Sequence, residues 1–138
     1  MGWLSDFFEA PAYADAASIS PKGVAYTESR GMTPQQKLIP GKAGEIGTYQ
    51  LTPILFKDLQ RLMPKQYKTL DFFKVASNDK LAQKAMGDYM SLLETHYAPH
   101  YGVTPNDANL LQMYNVGPSA FAKGKRNPKY VDTYNIGR

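Results

Sequence analysis

Few side chains in this sequence could carry chemistry. The chain has no cysteine, which excludes thiol nucleophiles, thiolate zinc sites and disulfide scaffolds. His96 and His100 stand four residues apart, a spacing that suits a helical ligand pair. Pro99 lies between them, is expected to break that helix, and protein metal sites generally need a further ligand. Neither a metal nor a cofactor is expected. Ser29 and Ser91 sit near charged residues without any histidine partner pattern, which argues against a serine hydrolase.

A carboxyl is the remaining candidate, and Glu28 is the one whose setting could matter. Ser20-Pro21 opens a short helix, serine capping the free amides and proline fitting the first turn. Gly31 and Pro34 close it just after Glu28. A glutamate in the last turn of a helix opposes the helix dipole, and apolar and aromatic neighbours penalise its charge. Both effects favour the protonated acid, as general-acid cleavage of an acetal requires. Glu45, in the loop that follows, is a possible second carboxylate. Two carboxyls about 6.5 to 9.5 Å apart would suit an inverting hydrolase.

Other elements must position these groups. Residues 31–50 are rich in glycine and proline and end in the strand-like Ile46-Gly47-Thr48-Tyr49-Gln50-Leu51, so irregular chain with a short strand or β-hairpin is expected. Thr52-Pro53 opens a helix whose apolar face is read as Ile54, Leu55, Asp58, Leu59 and Leu62, ending at Pro64. The strongest periodicity begins at Asn78 or Asp79 and runs through Ala82, Ala85, Met86, Tyr89, Leu92, Leu93 and Tyr97, predicting a central core helix that stops before Pro99. Thr104-Pro105-Asn106-Asp107 opens another helix, with Leu110, Leu111, Met113 and Tyr114 inward and a stop near Gly117-Pro118. Two shorter helices are expected at 119–123 and 128–134, and one upstream at 10–17.

The fold class is therefore mainly α, with one small β element beside a cleft. The 138 residues and their 43% hydrophobic content suit a single domain spanning 1–138, with residues 1–18 as an N-terminal extension or short helix. Apolar runs are far shorter than the roughly 20 residues of a membrane-spanning helix, and the acidic start does not read as a signal peptide. A net charge of +4 suits an anionic partner. The basic residues form no stripe on a recognition helix, however, and nucleic acid is not an expected partner.

Three segments in order carry a resemblance. Glu28-Ser29 lies on the helix opened by Ile19-Ser20-Pro21; then come Gly44-Glu45-Ile46-Gly47-Thr48-Tyr49-Gln50-Leu51-Thr52-Pro53 and Met113-Tyr114-Asn115-Val116-Gly117-Pro118. Together they resemble the soluble lytic transglycosylases, whose Glu-Ser pair, Gly-x-x-Gln segment and Ala-Tyr-Asn-x-Gly segment follow in this order. Each pattern is short; order, spacing and helix context make the combination specific. Met113 departs from the usual alanine.

The resemblance implies an α+β lysozyme-like fold and a peptidoglycan substrate. The carboxyl at the position of Glu28 would act first as acid and then as base. The 2-acetamido group of N-acetylmuramic acid would assist departure of the leaving sugar, and a 1,6-anhydro sugar would result. Ser29, Gly47, Tyr49, Gln50, Tyr114, Asn115 and Tyr130 would bind substrate, Tyr130 being the least secure match. Gly47 reads equally as a plain turn and Tyr49 equally as core, and Tyr114 without the resemblance reads as core. Peptidoglycan glycan strands are the implied partner, with action in the periplasm or cell wall and a virion or secretion assembly as the setting. A hydrolytic muramidase using Glu45, or a non-catalytic wall-binding or virion structural module, remains the alternative.

Overall fold

The computed structural model describes residues 18–138, so the helix expected at 10–17 lies outside the described residues. The architecture is mainly helical. Helix α1 (Pro21–Ser29) starts where the cap chemistry predicts, with Ser20 Oγ accepting from the Gly23 amide at 3.1 Å. Then follow α2 (Pro34–Lys37), α3 (Pro53–Leu62), α4 (Pro64–Tyr67), α5 (Phe72–Ala76) and α6 (Asp79–Leu92). A π-helical turn (Leu93–Tyr97) leads into α7 (Ala98–Tyr101), and α8 (Asp107–Val116), α9 (Pro118–Ala122) and α10 (Pro128–Gly137) complete the chain.

The central helix is α6, as its periodicity predicts. Asn78 caps it, and Ala82, Ala85, Met86, Tyr89, Met90 and Leu92 are buried. It packs against α1, α3, α5 and α8. Leu59, Leu93, Leu110, Leu111 and Met113 fill the space between, each fully buried side chain of this kind contributing about 1.5–3 kcal/mol. Helix α10 lies along α1, and two glycines let the pair approach. A Cβ on Gly23 would sit 2.6 Å from the Tyr134 ring, and one on Gly137 would sit 2.4 Å from Tyr26. The Tyr134 hydroxyl also accepts from the Ser20 amide at 2.8 Å, so the start of α1 is tied to α10.

Three expectations are corrected. No β-hairpin forms among the described residues; its place is taken by one antiparallel bridge between Ile46 and Leu51. The strand cannot lengthen because Thr52 is already the cap of α3 on one side, while on the other the Gly44 amide closes a turn onto the Gly41 carbonyl. The chain also stays helical through Pro99. The π-helical turn lets the Ala98 amide bond to the Leu93 carbonyl, a widened register into which a residue without an amide proton fits at the second position of α7. Finally, α3 buries Leu55 and Leu59 and packs Leu62 on the core as expected, but Ile54 is 78% exposed and Phe56 is buried in its place.

Candidate active site

Three separated pieces of chain converge on Glu28, which the last turn of α1 delivers. The first neighbour is α10, whose Tyr130 hydroxyl donates to Glu28 Oε2 at 2.6 Å. Tyr130 stands one turn before Tyr134, the residue packed on Gly23, so the α1–α10 contact that the glycines permit also aligns this pair. Asn127 fixes the start of α10: its backbone exchanges two hydrogen bonds with the Gln112 side chain, at 2.7 and 2.9 Å, and its Nδ2 donates to Asn115 Oδ1 at 2.9 Å. Asn115 thus orders the helix that carries Tyr130 while remaining exposed itself.

The second neighbour is the tight turn from Ile46 to Leu51. Ser29, buried beneath it, donates from Oγ to the Thr48 carbonyl at 2.7 Å and to the Ala25 carbonyl at 3.1 Å. This serine clamps the turn to α1. Gly47 has φ +90°, and a Cβ there would lie 1.9 Å from the Ala76 carbonyl oxygen. Its glycine is demanded by packing against the end of α5 as well as by the backbone angle. Gln50 is the one non-glycine residue with positive φ among the described residues, at 48°. Its Nε2 donates back to the Gly47 carbonyl at 2.8 Å, which stabilises a conformation that otherwise costs about 1–3 kcal/mol. Tyr49 is a core residue, 5% exposed, with its hydroxyl donating to Gln83 at 3.2 Å; its ring is not a sugar-stacking face.

The third neighbour is Tyr114 on α8. Its ring meets Tyr89 edge to face at 6.3 Å, and its hydroxyl reaches the Tyr49 carbonyl at 3.5 Å. The Glu28 charge is felt at both Tyr114 and Tyr130, adding to the burial that raises the two phenols well above their usual range.

The Glu28 carboxyl is pushed up to about 7. Desolvation is the largest cause; the Tyr130 hydrogen bond opposes it, and the negative charge of Glu45 adds to it. No Lys or Arg pairs with Glu28 among the described residues. Near neutral pH such a carboxyl can give up a proton and take one back, as an acid/base catalyst must. Glu45 itself is folded over its own loop, packed against Gly41 and accepting from the Ala43 amide at 3.2 Å. His96 and His100 are exposed, each edge-on to the neighbouring tyrosine. Among the described residues no group of three or more His, Cys, Asp or Glu side chains could hold a metal ion.

Sequence reasoning therefore identified Glu28, Tyr130 and Tyr114, which the fold brings together. It missed Gln112, Asn127 and Tyr134, which set the α10 end of the site. The Asn127-Pro128 dipeptide marks the start of a helix and was the signal available for one of them. Compared with models of known protein families, with curated proteins and with solved structures, the chain shows no match.

Proposed function

We propose that this protein is a peptidoglycan lytic transglycosylase that cleaves the β-1,4 bond between N-acetylmuramic acid and N-acetylglucosamine. Glu28 would protonate the departing glycosidic oxygen. The substrate's own acetamido group would stabilise the developing positive charge at the anomeric carbon. Glu28, now a carboxylate, would remove the proton of the 6-hydroxyl as that oxygen closes the 1,6-anhydro ring. One observation carries this reading: a carboxyl with no cation paired to it among the described residues, held by the Tyr130 hydroxyl at 2.6 Å and raised to about 7 by burial. One group thereby serves in both directions of proton transfer, as a carboxyl titrating near the working pH can. The site of action would be the periplasm or wall, and virion-associated delivery is the setting we favour.

A second reading is a hydrolytic muramidase with Glu45 activating water. Its support is the electrostatic influence of Glu45 on Glu28, and against it stands the packing of the Glu45 side chain into its own loop. Digestion of purified peptidoglycan by the wild type and by Glu28→Gln, with mass spectrometry of the released muropeptides, separates these readings. Anhydro-muropeptides from the wild type alone are the expected result. Ordinary reducing ends would transfer the assignment to the hydrolase, and no release by either protein would favour a wall-binding module.

A further inference from the structure

The longer helices among the described residues begin in two ways. Four cap themselves: Ser20, Thr52, Asn78 and Asn106 each accept, with their own side chain, from an amide of the first turn of α1, α3, α6 and α8. Helix α10 does not. The side chain of its cap residue, Asn127, turns to Asn115, and the Asn127 amide donates to Gln112 Oε1 of α8 at 2.7 Å. Gln112 Nε2 donates back to the Asn127 carbonyl at 2.9 Å, and the same carbonyl accepts from the Tyr130 amide at 3.0 Å. A self-capped start is fixed by local sequence; this one is held by another helix.

In a capping box the third helical residue supplies a Gln or Glu side chain to the amide of the cap residue, as Gln36 does for Thr33 in α2. The third residue of α10 is Tyr130, whose side chain is committed to Glu28 at 2.6 Å. Gln112 supplies from α8 the acceptor that this position cannot. It is buried, 7% exposed, and its amide offers both an acceptor and a donor, each of which is used on Asn127. The loop before Asn127 is fastened separately. Arg126 Nη1 donates to the Phe121 and Lys125 carbonyls at 2.8 Å each, and its guanidinium lies 3.5 Å above the Phe121 ring of α9.

We propose that Gln112 is a positioning residue for the candidate active site, setting where α10 begins and thereby the contact of the Tyr130 hydroxyl with Glu28. It acts through Asn127 and Tyr130. For its effect on rate the inference rests on the proposed acid/base role of Glu28; its effect on the Glu28 proton does not. The titratable groups felt at Glu28 are Tyr130 on α10, Tyr114 on α8 and Glu45 in the loop after α2. Of these, Tyr130 is the one carried by α10, and its hydrogen bond draws the Glu28 carboxyl down. Loosening the start of α10 weakens that pull, so the carboxyl should rise above about 7.

The Glu28 carboxyl is titrated by carboxyl-carbon NMR in the wild type, in Gln112→Met, in Tyr130→Phe and in the double variant. Methionine keeps the length of glutamine and removes both hydrogen bonds. An upward shift of several tenths of a pH unit is expected for Gln112→Met, a larger one for Tyr130→Phe, and no further shift when the first is added to the second. No shift, a downward shift, or the same added shift in both backgrounds overturns the inference. Asn78→Ala, which removes the cap of α6, controls for lost stability; it should leave the titration unmoved, and a shift equal to that of Gln112→Met also overturns it. A second measurement needs no variant. In the wild type the Asn127 amide should exchange with solvent as slowly as the amides inside α10, and free exchange means that Gln112 does not hold it. On peptidoglycan, Gln112→Met should lower kcat a few-fold at unchanged KM and move the alkaline limb to higher pH. The expected titrations in a protein that cleaves no peptidoglycan would sink the catalytic proposal and leave the positioning role standing. Cleavage by the wild type with an unmoved titration in Gln112→Met would do the reverse.

Discussion

Glu28 and Asp88 are chemically alike and differently surrounded. Each is a carboxylate on a helix accepting from a tyrosine hydroxyl at 2.6 Å, Tyr130 in the first case and Tyr67 in the second. In both, desolvation pushes the carboxyl above its ordinary range while the tyrosine pulls it back. The difference is Lys84, whose Nζ lies 3.0 Å from Asp88 and adds a second downward pull. The Asp88 carboxylate has its countercharge beside it and joins α4 to α6 as part of the scaffold. Glu28 has none among the described residues, and its neighbour in charge, Glu45, pushes the other way. A buried carboxyl becomes an acid by what is withheld from it, at a cost in stability that Lys84 reduces for the scaffold carboxyl.

The largest test of this contrast is Glu28→Gln. Under the proposed function, loss of the acid lowers turnover by about 10²–10⁴-fold. The same substitution bears on stability with a definite sign. Because the folded carboxyl titrates at about 7 and an ordinary glutamate near 4.5, the native state binds the proton more tightly than the unfolded chain. The wild type therefore loses stability as pH rises from about 4.5 through about 7, by about 3 kcal/mol in all. Glutamine keeps the size and an acceptor for Tyr130 but does not ionise. Thermal unfolding should show the variant matching the wild type at pH 4 and exceeding it at pH 8. A constant gap between the two across that range would mean that Glu28 is not held protonated.

Lys84→Met reverses the contrast at Asp88 by leaving the scaffold carboxyl, like Glu28, without a countercharge. Breaking a largely buried pair from one side should cost about 2–4 kcal/mol near neutral pH. The loss should shrink on acidification, since Lys84 is one of the groups that hold the Asp88 carboxyl down and a protonated acid no longer needs it. Denaturant unfolding at pH 7 and pH 4 measures both quantities. Activity per folded molecule should be unchanged; a specific loss of turnover would show that the two carboxyls are not independent.

These two sites were unequally legible in the amino-acid sequence. Glu28 stood out because the Ser20-Pro21 start and the Gly31 stop bracket it, and helix ends are set by local chemistry that a short window contains. The Tyr130 contact spans 102 residues and was reachable only through the family resemblance. Asp88 reads as a polar interruption on the strongest apolar helix, and nothing local reveals that Tyr67, 21 residues away on α4, satisfies it. Helix α2 was readable in retrospect, because Thr33 and Gln36 form a reciprocal capping box. The persistence of helix through Pro99 was not, since a π-helical turn is a tertiary accommodation that leaves little local mark. The single bridge between Ile46 and Leu51, where a hairpin was expected, shows the limit of strand propensity, for a cap at Thr52 decides the matter against it.

Tyr130→Phe probes the one group that pulls Glu28 downward. Removing that hydroxyl raises the Glu28 carboxyl further above about 7, so the alkaline limb of the rate profile should move to higher pH. The maximal rate should fall by roughly tenfold as the acid loses its alignment, with about 1–2 kcal/mol of stability lost with the hydrogen bond. A limb that moves downward would mean that burial does not dominate the site.

The smallest expected effect is the sharpest discriminator between the two enzymatic readings. Glu45 raises Glu28 only as the third cause, through its charge. Glu45→Gln should then lower the Glu28 carboxyl slightly and shift the alkaline limb by a few tenths of a pH unit toward acid, with the maximal rate within about twofold of wild type, as expected for a charge acting through partly screened space. Were Glu45 the base that activates water, the same substitution would remove activity to nearly the extent of Glu28→Gln, and the limb would have nothing left to report. A pH profile of the single variant, taken on intact peptidoglycan, decides between a carboxylate that tunes its neighbour from the loop and one that shares the chemistry with it.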